Sequence, residues 1–381
     1  MNSTNRKAVF VGGMRTPFGR AFKGAYADVR PDDLMIELLT AQAKRLASLW
    51  SCPPDDLLVG CAYPEGEQGY NVARMIALGS GLDLPGATVN RLCASSMEVV
   101  AIAAARVISG WGDCYLVGGL ESMSRIPRRG ANFSESNRIK QRLAEAYIPN
   151  GDTAENVASR FPEIDRLRQE DFAARSHTLA FEAFENRKYQ NQIHPFRIDR
   201  DEFIRYPVDR AKMASLEPAF QAGGTVTAAT SSPLTDGASS GWVTTTEIAT
   251  AAGFQHGLEI IDAAVAHVSP GVMGIGPVPA TRTIFSRNKL SAGDIAAYEI
   301  NEAFAVQVLA SIQELNLPLD RVNTWGGAIA IGHPLGASGL RLVMTLHDRL
   351  AELDVAGSLG LATLCVGGGQ GMSMLCRYVE L

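Results

Sequence analysis

The chain has 381 residues, 46% of them hydrophobic and 20% charged, with a formal net charge of −5. That length supports two core-forming halves, and the balance is that of an ordinary soluble globular protein. The acidic total argues against a nucleic-acid binder, and six cysteines without CxxC spacing fit neither a disulfide framework nor a zinc site and point to a reducing compartment.

Met1 to Lys7 lacks the apolar core of a signal peptide, and Tyr378 to Leu381 matches no retention or peroxisomal address. A cytoplasmic enzyme of bacterial type is therefore expected. No uninterrupted apolar run reads as long enough to span a membrane. Ala8 to Val11 reads as a strand ending at Gly12-Gly13. Pro31-Asp32-Asp33 opens a helix with Met35, Leu38, Leu39, Leu46 and Leu49 on one face, closed off by Pro53-Pro54. A strand over Leu57 to Cys61, a helix over Asn71 to Leu78 and a strand over Ala87 to Asn90 lead to Arg91-Leu92-Cys93-Ala94-Ser95-Ser96-Met97. There Met97, Val100, Ala101, Ala104, Val107 and Ile108 recur at helical spacing, with Ser95 or Ser96 placed to cap. Cys93 is thus expected at a strand-to-helix junction, where free backbone N–H groups and the helix dipole favour a thiolate nucleophile. A buried core cysteine is the competing reading.

Cys114 to Gly119 reads as a further buried strand, and strands alternating with helices imply a largely parallel sheet. After Glu121 the charges crowd together as far as about Lys212, which reads as an inserted, less regular domain. Asp152 with Glu155 makes a capping pattern for one helix there, and a second runs from about Gln169 through Phe172, Ser176, Leu179, Ala183 and Phe184. Its basic residues Arg125, Arg128, Arg129, Arg138, Lys140 and Arg142 suit either substrate phosphates or a solvated face.

Regular alternation resumes at Thr225 to Ala228, followed by a strand over Gly241 to Thr245. A second half starts near Leu258, with a strand over Ala264 to Val268 and a helix over Ala280 to Lys289. A strand over Ala296 to Ile300 then delivers Asn301 to a helix from Glu302 to Leu315, and the competing reading of Asn301 is a cap for that helix. His333 stands in a glycine-marked loop before a helix over Gly339 to Leu350, and Cys365 stands in a glycine turn between strands Leu359 to Leu364 and Met372 to Arg377.

Cys93, Asn301-Glu302-Ala303-Phe304, Gly332-His333-Pro334 and Cys365-Val366-Gly367 together closely resemble the thiolase family, enzymes that cleave or form 3-ketoacyl-CoA. The resemblance runs from Arg15-Thr16-Pro17-Phe18-Gly19 nearly to the C-terminus. It implies an α/β fold of duplicated halves in alternating αβαβα layers with an inserted loop domain. The halves would be 1–120 plus 233–256 and 257–381, with 121–232 as the insertion carrying the CoA site. In the resemblance Cys93 attacks the 3-keto carbon, His333 takes its proton, and Cys365 is the acid/base on the acetyl α-carbon. Asn301 would hold a water in one oxyanion hole, and the backbone N–H groups of Cys93 and Gly367 would form the other. Ala228, Ser232, Ala303 and Phe304 match positions lining the pantetheine channel, and Met273 matches one near the acyl group.

The resemblance makes acyl-CoA and CoA substrates and requires no metal. Family members are dimers or tetramers, and some pair with a hydratase/dehydrogenase subunit. Ser231 to Gly237 looks more like the degradative 3-ketoacyl-CoA thiolases than the acetoacetyl-CoA type. The alternatives are a biosynthetic acetoacetyl-CoA thiolase and an acyl-CoA-binding protein of the same fold. Three positions depart from the usual pattern. Asn150 stands where methionine is common beside the acyl pocket, Ser96 replaces a frequent glycine, and Trp325 replaces a frequent asparagine. Asn150 and Trp325 are expected to alter the pocket's polarity and size.

Overall fold

A computed structural model describes residues 6–381, so the leader reading of Met1 to Asn5 lies outside the described residues. The strands are β1 (Ala8–Arg15), β2 (Gly19–Arg20), β3 (Asp56–Cys61), β4 (Gly86–Val89) and β5 (Cys114–Ser122). They continue as β6 (Thr235–Thr245), β7 (His256–His267), β8 (Ile295–Ile300), β9 (Leu359–Val366) and β10 (Gln370–Glu380). Their order is β4-β3-β5-β6-β1-β7-β10-β9-β8, with β2 beside β6. The sheet is pinched at β1–β7, where Val9 pairs with Glu259 and Phe10 with Leu258.

Each side of that pinch repeats one pattern. β1 is antiparallel to β6, β6 antiparallel to β5, and β5 parallel to β3. Likewise β7 is antiparallel to β10, β10 antiparallel to β9, and β9 parallel to β8. This is the duplication expected from the sequence. The expected largely parallel sheet is not found, since only β3–β4, β3–β5 and β8–β9 run parallel. Connection length explains part of this: Gly367 to Gly369 join β9 to β10, far too short a link for a parallel crossover.

The layers follow from strand alternation. Along β5, Tyr115 and Val117 pack with Val100 and Leu340, whereas Cys114 and Leu116 pack with Leu38 and Ile76 on the other face. Along β9, Ala362 and Leu364 join the same central cluster, while Leu361 and Cys365 face Ile284 and Val306. The helices Ser95–Ser109 and Leu335–Leu353 therefore lie between two half-sheets. Helices Pro31–Arg45 and Val72–Gly79 cover one outside, and Pro277–Asn288 and Ala305–Leu315 the other. The result is the five-layered αβαβα stack.

Being sandwiched changes the central helix. Its buried set is Met97, Val99, Val100, Ala103, Ala104 and Val107, wider than the single stripe read from spacing, and Ile108 is exposed. Leu92–Ser109, though interrupted by Glu98 and Arg106, is long and apolar enough to cross a membrane by length and composition, and here it fills the central layer.

Between β5 and β6 run the helices Asn150–Arg160 and Arg166–Glu185 among irregular segments. The capping pattern at Asp152 is not used. That helix begins after Pro149, and Glu155 instead accepts from the N–H groups of Thr225 (3.0 Å) and Val226 (2.9 Å). The second helix starts earlier than Gln169, capped by Asp165 accepting from Arg168 N–H at 2.8 Å.

Candidate active site

β4 ends at Val89, and Asn90 Oδ1 accepts from the Leu92 N–H at 2.7 Å. One 3₁₀ turn over Leu92–Ala94 then sets Cys93 at the head of the Ser95–Ser109 helix. Neither serine caps that helix as expected. Ser95 Oγ donates to the Leu92 carbonyl (2.6 Å) and accepts from Arg91 N–H (3.0 Å), closing the cysteine's own turn. Ser96 Oγ accepts from Leu340 N–H at 2.9 Å, tying this turn to the Leu335–Leu353 helix. The Cys93 sulfur faces the N–H of Gly367 as well as its own. Burial nevertheless pushes its thiol up to about 11, and the Glu121 charge adds to the rise. The expected thiolate is thus reversed: exclusion of water outweighs the donors.

His333 follows Gly332, whose φ of 103° suits glycine. The loop before it is pinned by the buried Glu302 carboxylate, which accepts from Ser176 Oγ (2.6 Å), Asn323 Nδ2 (2.9 Å) and Ile329 N–H (3.2 Å). Ser338 Oγ donates to the Pro334 carbonyl (2.8 Å) and so accepts from His333 Nδ1–H (2.6 Å). Asn301 Oδ1 takes a hydrogen bond from Arg341 (3.4 Å), which turns its Nδ2 toward His333 Nε2 (3.2 Å). This network puts the imidazole proton on Nδ1 and leaves Nε2 unprotonated, an acceptor that takes the Asn301 N–H and can bind a proton only by giving up that bond. Burial, then the nearby Arg341 charge, holds the imidazole down to about 3. Asn301 caps no helix, because the next one begins at Ala305.

Cys365 lies within β9, opposite Gly371, not in the turn itself. Burial pushes its thiol well up, and the neighbouring Cys93 pushes it further. The fold thus buries two neighbouring protonated thiols with the Cys93 and Gly367 N–H groups as donors, and a neutral imidazole whose Nε2 is unprotonated. Groups of this kind can move a proton from thiol to imidazole and offer a second thiol for carbon acid/base work.

Ser232 N–H donates to the Ala303 carbonyl at 2.9 Å, and Ser231 bridges to Phe304, so three of the four expected channel positions adjoin one another. Phe203, Arg205, Lys212, Met213, Ala228 and Ser231 line a cleft of about 430 Å³. Met273 is buried in the same apolar cluster as Phe304 and Cys365. Asn150 Oδ1 lies 3.8 Å from where a Cβ on Gly367 would be, the residue whose N–H faces the Cys93 sulfur. Trp325 is not there: its ring packs edge-on to Tyr189 and its Nε1 donates to Glu352 at 3.1 Å. The expectation that Trp325 shapes the acyl pocket is therefore corrected.

The singled-out cations are largely committed elsewhere. Arg125 binds both oxygens of Glu67 (2.5 Å each), Arg129 donates to the Tyr147 carbonyl (2.6 Å), and Lys140 meets Glu135 (2.7 Å). Sequence reasoning passed over Arg205, Lys212, Ser338, Arg341 and Glu121. Only Glu121 carried a signal, as a carboxylate ending an apolar, glycine-bearing strand.

Sequence models of the thiolase N-terminal and C-terminal domains match residues 8–247 and 255–378. The chain is 42% identical to a 3-ketoacyl-CoA thiolase of Saccharophagus degradans, with all of both chains covered at 100%. It is 38% identical to a 3-ketoacyl-CoA thiolase of Bacillus subtilis, over 96% of this chain and 98% of that one. A crystal structure of the Bacillus anthracis acetyl-CoA acetyltransferase is similar with a TM-score of 0.87 and 33% identity, over 99% of each chain. The chain belongs to the thiolase family.

Proposed function

We propose that this thiolase works in the degradative direction, cleaving 3-ketoacyl-CoA with CoA to acetyl-CoA and an acyl-CoA shortened by two carbons. The observation that carries the reading is the neutral, buried His333, its Nε2 kept unprotonated by Asn301 and Ser338, together with the two neighbouring buried thiols Cys93 and Cys365. Cys93 sulfur bonds to the 3-keto carbon while His333 Nε2 takes its proton. The bond between carbons 2 and 3 then breaks, leaving the acyl group as a thioester on Cys93. Cys365 gives its proton to the departing acetyl-CoA enolate. It next removes the proton of an incoming CoA thiol, which attacks the thioester, and Cys93 recovers its proton from His333. The Cys93 and Gly367 N–H groups suit the oxyanion of the thioester step, and a water held by Asn301 with His333 suits the other. CoA enters by the cleft at Ala228, where Arg205 and Lys212 supply charge for its phosphates. Among the described residues β4 ends the sheet with no strand beyond it, which supports a homodimer or homotetramer.

The names of the relatives at 38% and 42% identity favour the longer-chain degradative type over the acetoacetyl-CoA type. The test is kcat/KM for 3-ketoacyl-CoA of four, six and eight carbons, in the wild type and in Asn150→Met. Each buried methylene is worth about 0.8 kcal/mol, roughly fourfold, so the wild type should prefer the longer substrates. Asn150→Met should raise activity on them and leave acetoacetyl-CoA nearly unchanged. A wild-type profile that peaks at four carbons would replace this reading with the biosynthetic one.

A further inference from the structure

Glu121 lies near the end of β5 with its carboxylate buried, and no step above uses it. Oε2 accepts from the N–H groups of Ala62 (2.9 Å) and Gly336 (3.0 Å), and Oε1 accepts from the Gln68 amide (2.7 Å). These donors come from separate parts of the molecule. Ala62 follows β3, and its carbonyl accepts from the side chain of Asn90 (3.1 Å), just before the Cys93 turn. Gly336 stands in the first turn of the Leu335–Leu353 helix, directly after the His333 loop. Gln68 is itself held, its Oε1 accepting from Ser122 N–H at 2.7 Å.

The reach depends on bare backbone. A Cβ on Gly336 would lie 2.3 Å from the Leu120 carbonyl oxygen, and one on Gly119 would lie 2.3 Å from the Gly336 carbonyl oxygen. Two glycines thus bring the His333 helix against β5, and the carboxylate closes the contact. Stability alone is a weak reason for such a group, because replacing a buried ionic group by apolar packing is often neutral or favourable.

We infer that Glu121 is a positioning residue that bolts the Cys93 turn of one half to the His333 helix of the other, fixing nucleophile and base in register. This rests on the reading of Cys93 as nucleophile and His333 as its base. Charge is a second effect of the same group. The titratable neighbours facing it are Cys61, Tyr63 and Cys93, each raised first by burial and further by Glu121. Burial lifts the Glu121 carboxyl itself to about 7, so its charge is fullest at mildly alkaline pH.

The experiment uses the full chain with Glu121→Gln and Glu121→Asp. Thiolysis and iodoacetamide alkylation of Cys93, read by peptide mapping, are followed from neutral to mildly alkaline pH. Asp keeps the charge and shortens the reach; Gln keeps the length and removes the charge. Both should lose about 10- to 100-fold in kcat with KM for CoA within about twofold, as expected for misplaced catalytic groups. Only Glu121→Gln should move the alkylation profile to lower pH, because only it removes the charge that opposes the thiolate. General loosening would admit water and speed alkylation in both variants, so faster alkylation in Glu121→Gln alone separates loss of the charge from a merely structural effect. The inference is overturned if kcat stays within about twofold in both variants, if the alkylation profiles coincide, or if neither variant accumulates folded. A wild type that turns over no 3-ketoacyl-CoA would instead sink the thiolase reading, and the alkylation comparison would still decide whether Glu121 acts on Cys93.

Discussion

The floor around Cys93 and the cleft framed by residues 203–233 are built on opposite principles. On the floor Cys93, Asn301, His333 and Cys365 are buried, and Asn301 and His333 are held by named hydrogen-bond partners. In the cleft Arg205, Lys212 and Ala228 are exposed on irregular or very short segments. Bond-making needs donors and acceptors whose positions are paid for in advance by folding. Holding a long, flexible, charged substrate needs adaptable cations and apolar walls that cost little to rearrange. Changes on the floor should therefore act on kcat, and changes in the cleft on KM.

The largest expected effect breaks the floor. Cys365→Ala should reduce thiolysis on the order of 10⁴-fold and abolish exchange of acetyl-CoA α-protons in deuterated water, while acyl transfer from a simple acyl-CoA to Cys93 persists. Exchange at the wild-type rate would show that another group does the carbon acid/base work.

A second prediction concerns the charge state of the floor. Cys93 is raised to about 11 and His333 lowered to about 3, so between those values the resting pair is neutral thiol and neutral imidazole. A raised thiol pKa means the thiolate fraction grows with pH up to that value. Alkylation of Cys93 in the free enzyme should therefore rise about tenfold per pH unit through the neutral and mildly alkaline range. A plateau at neutral pH would reveal a preformed thiolate–imidazolium pair. Cys52, partly exposed, is the competitor to resolve by mapping.

The smallest effects belong to the cleft. Arg205→Ala and Lys212→Ala should each raise KM for CoA roughly two- to fivefold, the worth of one exposed ion pair, with kcat unchanged and the effect fading in salt. Equal losses in kcat would mean these cations reach the reacting atoms and would erase the contrast between the two regions.

The same contrast explains what was legible in the sequence. Cys93, His333 and Cys365 stood out because each sits where a strand or glycine loop hands over to another element, and that local chemistry survives in a linear string. The thiolate did not survive: sequence counts the donors around Cys93 but not the water removed from it. Strand direction was lost because an apolar run such as Leu359 to Leu364 reads the same way in either sense. In the insertion, charge was visible but its direction was not. Arg125 and Lys140 turned to acids nearby, whereas Arg205 and Lys212 lie in irregular or very short segments with no period to place them. Trp325 was expected to alter the pocket because it replaces a frequent asparagine of the family pattern, yet its ring packs against Tyr189.

The most direct test of the account is to catch the acyl group. The wild type and Cys93→Ala are mixed with 3-ketohexanoyl-CoA without free CoA, quenched in acid and mapped by mass spectrometry. The account predicts a butanoyl group on the Cys93 peptide of the wild type, one acetyl-CoA released per acyl group bound, and neither in the variant. Butanoyl found on Cys365 instead, or acetyl-CoA released with no acyl group on the protein, would contradict it.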